Sequence, residues 1–495
     1  MRKSLALASL VLSFPAFVAA HALAQAAAGP DALAPPPADP VIAAALKTIS
    51  PDVVRADIAK LVSFGTRNTL SSMDTDQPAG QGINAASAWL ESEYRAISAA
   101  CNGCLEVKRD DYIEQPPSSG PRIPRPTRLV NIYAILHGTA TGKSAPWVLV
   151  TGHYDTIATA DADMLNSHLL APGANDDASG VAVSLESARA LSKLKFPGTI
   201  VFAAVAGEEQ GLKGSRHLAQ LAKSEGWPLE AVLNNDIVGG DTTPGLSGQR
   251  KDVVRVFSES VPATATPEQE RQMLALGAED DSPSRELARS IAELAPAYFA
   301  PSVQHSAGAA STHTSPAGQL PAFAPVMVRR RDRYLRGGDH TSFNQEGFTA
   351  VRFTEWRENF NHQHQTLRTE DGIEYGDYLK FVDPSYTANV ARLNAAVLAT
   401  LASAPSQPQN VHVLTRKLDN NTELSWEPSA FAPPGTTYEV VWRDTTEESW
   451  THARSAGPDT HLTLDVSKDN VFFAVRALDS AGHRSLPVPP TPVRQ

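Results

Sequence analysis

Cysteine is nearly absent from this chain of 495 residues, occurring only at Cys101 and Cys104. Any metal site must therefore be built from imidazole and carboxylate rather than thiolate. The two cysteines stand as Cys-Asn-Gly-Cys, which in an oxidising compartment reads as a small local disulfide. A redox pair has the same spacing, but the strand that precedes such a pair in thioredoxin-like proteins is missing here. Positive charge is also scarce. Lysine and arginine number 43 against 54 aspartates and glutamates, a formal net charge of −11. That balance argues against a nucleic-acid partner and suits a site made of carboxylates. Long apolar runs are missing beyond residue 24, so nothing later in the chain reads as a membrane span.

The one long apolar run, Leu5 to Ala24, follows Met1-Arg2-Lys3 and ends in small residues. That order reads as a secretory signal over residues 1–24, cleaved near Ala24–Gln25, with a secreted or periplasmic product. A membrane anchor is the alternative, but serines and Pro15 interrupt the run and no charged stop-transfer segment follows. Residues 25–45 are rich in alanine and proline and read as a linker or pro-segment. With 42% hydrophobic and 20% charged residues, the rest is an ordinary soluble chain, long enough for two or more domains.

Composition changes at Ala404-Pro-Ser-Gln-Pro408, which reads as a linker. Before it, over residues 46–404, short apolar runs alternate with helical periods. The fold expected is α/β, a mostly parallel mixed sheet flanked by helices. Beyond it, over residues 405–495, short alternating strands recur, including Thr422–Trp426, Thr437–Trp442 and Val471–Ala477. They predict a small all-β sandwich.

Three clusters carry the chemistry. Trp147–Thr151 is an apolar strand-like run that delivers His153 and Asp155 just past its end. Gly173-Ala-Asn-Asp176-Asp177 enters the helical stretch from Val181 to Leu194. Thr199–Val205 is a second strand-like run, and it delivers Glu208 and Glu209. Strand–helix–strand order implies parallel strands, whose ligand sites lie outside their carboxyl ends. The three clusters therefore converge on one rim, with residue types suited to zinc.

The wording of these clusters resembles the zinc aminopeptidases of the M28 clan, which hold two zinc ions bridged by one aspartate. Two further pieces match downstream, Asn234-Asn-Asp236-Ile-Val-Gly239 and Gly338-Asp339-His340-Thr-Ser-Phe343. The resemblance runs from about Pro51 to Ala404. It implies that Asp176 bridges two zinc ions, with Asp177 as the alternative in the same loop. One ion would also take His153 and Asp236, the other Glu209 and His340. Asp155 would orient His153, and Glu208 would serve as general base. The implied reaction is removal of N-terminal residues from a peptide or protein substrate with a free N-terminus.

Two places depart from the family pattern. Asn359-Phe-Asn-His362-Gln-His364-Gln-Thr366 stands where relatives carry a shorter His-Thr motif, and its histidines either line the pocket edge or bind nothing. The oxyanion-stabilising tyrosine has no assigned counterpart, since Tyr334 is near His340 only in sequence. Carboxypeptidases and glutaminyl cyclases share much of this ligand set, and an inactive exported binding protein is a further alternative. The C-terminal strands resemble a fibronectin type III module. Such a module would bind a surface, polymer or protein, and it contributes no ligand.

Overall fold

The computed structural model describes residues 31–117, 122–142, 144–159, 165–245, 247–302 and 319–494. The expected signal over 1–24 and residues 303–318 lie outside the described residues. Eight strands form one mixed sheet: β1 (Leu105–Glu114), β2 (Thr127–Leu136), β3 (Trp147–His153), β4 (Thr199–Val205), β5 (Leu229–Asn235), β6 (Val253–Ser258), β7 (Ala324–Val328) and β8 (Ala350–Glu355). Their spatial order is β1-β2-β4-β3-β5-β8-β6-β7. The central run β4-β3-β5-β8 is parallel throughout. Antiparallel pairing enters only at β1–β2, β2–β4 and β6–β8.

The central strands are apolar on both faces because both faces are covered. Side chains alternate across a strand, and the core divides accordingly. Val148 and Val150 of β3 and Ile200, Phe202 and Ala204 of β4 pack against helices Pro51–Val62, Ala178–Leu191 and Pro384–Ser403. Leu149, Val201, Ala203 and Val205 point the other way, onto Leu218 and Ala222 of helix Lys213–Ser224. Cys101 and Cys104 are disulfide-bonded, with Cα atoms 5.5 Å apart, in the turn between helix Gly82–Ala100 and β1. Among the described residues no helix is long and apolar enough to cross a membrane.

Beyond Ser403 the chain forms two small sheets. One has the order β15 (His461–Leu464), β12 (Thr422–Glu427), β11 (Gln409–Leu414), β17 (Thr491–Val493). The other is β14 (His452–Gly457), β13 (Thr437–Asp444), β16 (Val471–Leu478). A core of Leu424, Trp426, Tyr438, Val440, Trp442, Phe473 and Val475 lies within them. The two remaining strands, β9 (Arg368–Glu370) and β10 (Ile373–Tyr375), make a separate hairpin.

These small sheets are not loosely tethered. Ala404 and Ser406 of the connecting segment are buried. Helix Pro283–Tyr298 lies against the second sheet through a band of charge. Arg476, 1% exposed, pairs with Glu293 at 2.7 Å and Glu439 at 2.6 Å. Arg443 reaches Asp281 at 2.5 Å, and the Trp450 Nε1–H donates to Glu286 Oε2 at 2.9 Å.

The segment expected as linker or pro-segment is also built in from residue 31 onward. Ala32 bridges to His452, the Leu33 N–H donates to the Thr451 carbonyl, and Asp31 pairs with Arg454. Asp39 then caps helix Pro40–Leu46, its side chain accepting from the N–H groups of Val41 and Ile42. An Asp-Pro helix start was hidden in Ala/Pro-rich composition.

Because the Arg476 guanidinium is almost completely buried between two carboxylates, Arg476→Ala leaves Glu293 and Glu439 to share the one remaining guanidinium, that of Arg484. Removing one partner of a buried pair costs roughly 3–5 kcal/mol, and we expect a loss at the lower end of that range. Urea unfolding of the full chain measures it, and an unchanged midpoint would show that this contact carries no stability.

Candidate metal centre

β3, β4 and β5 run side by side in parallel, so their carboxyl ends share one edge, and each ends at a group of the site. His153 closes β3, Glu208 and Glu209 follow the end of β4, and Asp236 follows β5. Asp176 arrives from the loop that enters helix Ala178–Leu191. That helix sits directly over the strand end. A Cβ on Gly152 would come within 2.5 Å of Gly180 backbone, and one on Gly180 within 2.2 Å of the Asn235 carbonyl. Only glycine allows this approach, and the approach carries Asp176 to the strand ends.

Asp176 stands between two imidazoles. Its Oδ1 is 3.1 Å from His153 Nε2, and its Oδ2 is 3.0 Å from His364 Nε2. Around this axis, ligand atoms of His153, Asp176 and Asp236 lie within 4.8 Å of one another, as do those of Asp176, Glu209 and His364. His364 Nε2 is 2.8 Å from Glu209 Oε1, yet that buried oxygen has no hydrogen-bond donor among the described residues. Two imidazole nitrogens and several buried carboxylates, one with an orphaned oxygen turned to the cluster, suit a divalent cation such as zinc.

The electrostatics agree. Burial opposes protonation of both histidines, but carboxylate neighbours outweigh it. Asp155 and Asp176 hold His153 well above its usual pKa, and Glu209 and Asp176 do the same for His364. Burial pushes Glu208 well up, with Glu209 and Asp236 adding repulsion against the favourable His153. The cluster carries more negative charge than its surroundings neutralise.

His340 is not part of it. It begins helix His340–Gln345, fully buried, where its Nε2–H donates to the Arg331 carbonyl at 2.8 Å and Asp332 lies 3.8 Å away. Burial lowers its pKa to about 4, so it is a neutral framework imidazole. The position expected for His340 is taken by His364. The signal was present in the His362-Gln-His364 motif, but two histidines in an unpatterned loop carry no mark of which faces inward.

His362 serves the loop instead. Its Nδ1 is 2.6 Å from Asp241 Oδ2 and its ring stacks on Phe381 at 3.9 Å. Between the two, the Gln363 Nε2–H donates to Asp176 Oδ2 at 3.0 Å. Tyr334 is 79% exposed with Arg330 over its ring and does not line the cavity.

Asp155 does more than face His153. The histidine Nδ1 is 3.1 Å from the Asp155 carbonyl and 3.5 Å from its Oδ1. The carboxylate accepts from the backbone N–H groups of Glu208 and Glu209, each at 3.2 Å, so it sets the turn that presents both glutamates. Asp177 is scaffold. It accepts from the N–H groups of His153, Gly180 and Ile237.

Two supports were not legible in the sequence. Asp377 accepts the N–H groups of Asn175 and Asp176. Arg67, fully buried, donates to the carbonyls of Tyr154, Pro172 and Gly173.

Above the cluster opens a cavity of about 600 Å³. Asp176, Glu208, Glu209, Asp236 and His364 line its floor; Arg122, Arg336, Leu335 and Phe360 contribute to its walls. Glu208 is half-buried, Glu209 buried.

Residues 131–318 match the profile of Peptidase family M28. Over 465 residues the chain is 42% identical to a probable zinc metalloprotease of Pyrenophora teres f. teres (strain 0-1), spanning 93% of this chain and 89% of that one. A probable zinc metalloprotease of Pyricularia oryzae (strain 70-15) is 41% identical over 476 residues, 92% of this chain and 88% of the other. Among solved structures, the LapA aminopeptidase of Legionella pneumophila aligns over 73% of each chain with 18% identity and a TM-score of 0.45.

The exchange of histidines is directly testable. His364→Gln should lower the zinc retained by the purified protein, while His340→Gln should keep the parent's zinc and lose thermal stability. Metal analysis beside thermal unfolding decides it. Zinc loss in the His340 variant alone would restore His340 as the ligand.

Proposed function

The chain belongs to peptidase family M28 as a zinc metalloprotease, and from that premise we propose that it is an exported di-zinc aminopeptidase removing N-terminal residues from peptides. The observation that carries the two-ion reading is the placement of Asp176, one oxygen toward His153 and the other toward His364. On this reading His153, Asp176 and Asp236 hold one ion, and Asp176, Glu209 and His364 hold the other. Bound zinc supplies Lewis acidity, polarising the scissile carbonyl and acidifying a water.

The rest of the work falls to the chain's own groups. Glu208 lines the cavity beside the cluster. It takes a proton from the attacking water and returns it to the leaving amine, and burial raises its proton affinity toward the range such a shuttle needs. Asp155 keeps the two glutamates apart in role by holding both of their N–H groups. The carboxylate-lined floor is the natural place for the substrate's free amino end. That feature favours an aminopeptidase over a carboxypeptidase.

Export rests on the signal-like residues 1–24. The sheets from β11 to β17 are read as a fibronectin type III-like module that contacts a surface, polymer or protein, an analogy from fold alone.

Comparing substrates with free and acetylated N-termini tests the specificity, and equal turnover of both would reject an aminopeptidase. Two adjacent substitutions test the roles. Glu208→Gln should lower turnover by about 10²–10⁴-fold, the usual contribution of general acid–base catalysis, with zinc content unchanged. Glu209→Gln should lower zinc content, and added zinc should restore part of the rate. The opposite pattern of zinc loss would reverse the two assignments.

A further inference from the structure

We propose that Arg352 is a positioning residue that ties Asp236 to the cavity wall at residues 331–337, so that the order of this wall depends on the metal site. The inference rests on the reading above only in taking Asp236 as a metal ligand. Arg352 lies on β8, beside β5, with no exposed surface. Its Nη2 is 3.0 Å from Asp236 Oδ1. Its Nη1 is 3.2 Å from Asp332 Oδ2 and donates to the Gly337 carbonyl at 3.0 Å. One guanidinium thus grips a site carboxylate with one arm and both ends of the wall segment with the other. Arg333, Leu335, Arg336 and Gly337 of that segment line the cavity.

A dry guanidinium needs counter-charge, and removing part of it is costly. Arg352 has two carboxylates, Asp236 and Asp332, supplied by two different elements. When the Asp236 charge is committed to zinc, Asp332 becomes the principal counter-charge and its pair with Arg352 tightens. When Asp236 is free of metal, the guanidinium divides between the two and its hold on Asp332 weakens.

The guanidinium has little room to escape this choice. A Cβ added at Gly338 would meet Arg352 Nη1 at 3.0 Å, with the Asn234 amide and the His340 ring each at 3.3 Å. The wall segment has few other ties to the sheet: the Arg331 carbonyl is held by His340, and Arg333 and Arg336 share Glu358.

Hydrogen exchange of residues 331–337, read with zinc content on the full chain, tests this without any substrate. In the parent, stripping zinc with a chelator should speed exchange in this segment about tenfold, the factor carried by one charge-assisted hydrogen bond, with helix Pro384–Ser403 unchanged. Asp332→Asn should keep the parent's zinc while its wall exchanges fast whether or not zinc is bound. Arg352→Met should lose zinc and have a fast wall, and Arg352→Lys should recover part of both.

The proposal is overturned if the parent's wall ignores zinc removal, or if the Asp332 variant's wall is as protected as the parent's. Those two arms decide the matter even if Arg352→Met does not fold. A protein that passes them yet cleaves no peptide would overturn the aminopeptidase reading and leave this one standing.

Discussion

Four carboxylates held together in a nearly dry cleft constrain everything around them. Glu208, Glu209 and Asp236 sit just past the ends of parallel strands with Asp176 in the helix-entering loop beside them, and like charges held close together repel strongly where water is excluded. Burial, joined by repulsion from neighbouring carboxylates, raises Glu208 and Glu209, so the cluster would be destabilising without compensating cations. Two imidazoles meet part of that need from the cavity side, and a metal held there would meet more. From the protein side it is met by Arg352 at 3.0 Å from Asp236, with Arg67 buried beneath the loop that carries Asp176. The site is a layered arrangement of charge in which Asp176, Glu209 and Asp236 each have a cationic neighbour and Glu208 faces the cavity.

Position is enforced by the backbone as much as by side chains. Asp155 and Asp377 use their carboxylates to accept N–H groups of the segments that bear Glu208, Glu209 and Asp176. Four non-glycine residues adopt left-handed backbone beside the site: Leu212 at φ +59°, Ile237 at +60°, Leu335 at +54° and His364 at +55°. For a β-branched residue such as Ile237 this is costly, about 1–3 kcal/mol. The chain must turn sharply after β5 to leave Asp236 facing the cluster, and the Ile237 N–H and carbonyl are both held, by Asp177 and by Glu355 and Thr354. Strain of this kind survives only where the surrounding sheet over-determines the turn.

The central sheet was legible because its strands are short, apolar on both faces and separated by unmistakable helical periods. His153, Asp176, Glu208, Glu209 and Asp236 were legible for the same reason, since each follows a strand or opens a helix. The outer strand β1 was not, because one face is wet and the consecutive charges Lys108, Arg109, Asp110 and Asp111 leave no apolar alternation to read. β6 and helix Pro267–Leu276 were missed in a stretch without clear period, and that helix buries none of its residues. His364 was missed for a different reason. Its loop is shaped by contacts distant in sequence, the His362–Asp241 pair and the stacking on Phe381, and no local pattern announces them. His340 was expected because Gly338-Asp339-His340 resembles the family's motif, yet a buried histidine that donates to a carbonyl produces the same letters.

Composition also suggested that the C-terminal sheets are a separable attachment, and the contacts argue otherwise. Helix Pro283–Tyr298 links the two parts. Its first turn reaches the site's own sheet: Ser284 Oγ accepts from the Ala350 N–H at the start of β8 and from Asn344, while Arg285 donates to Ser258 of β6 and the Val328 carbonyl of β7. Its other contacts, through Glu286, Arg289 and Glu293, run to Trp450, Glu448, Arg476 and Arg484 of the small sheets. The small sheets therefore brace the half of the large sheet that ends in β8, the strand of Arg352. None of these contacts touches the cavity, so their effect on chemistry passes through the rigidity of β8 rather than through any group near substrate. A proline-bearing connection at 404–408 marks where the chain changes sheet, and the buried charge on either side of helix Pro283–Tyr298 makes the two sheets one mechanical unit.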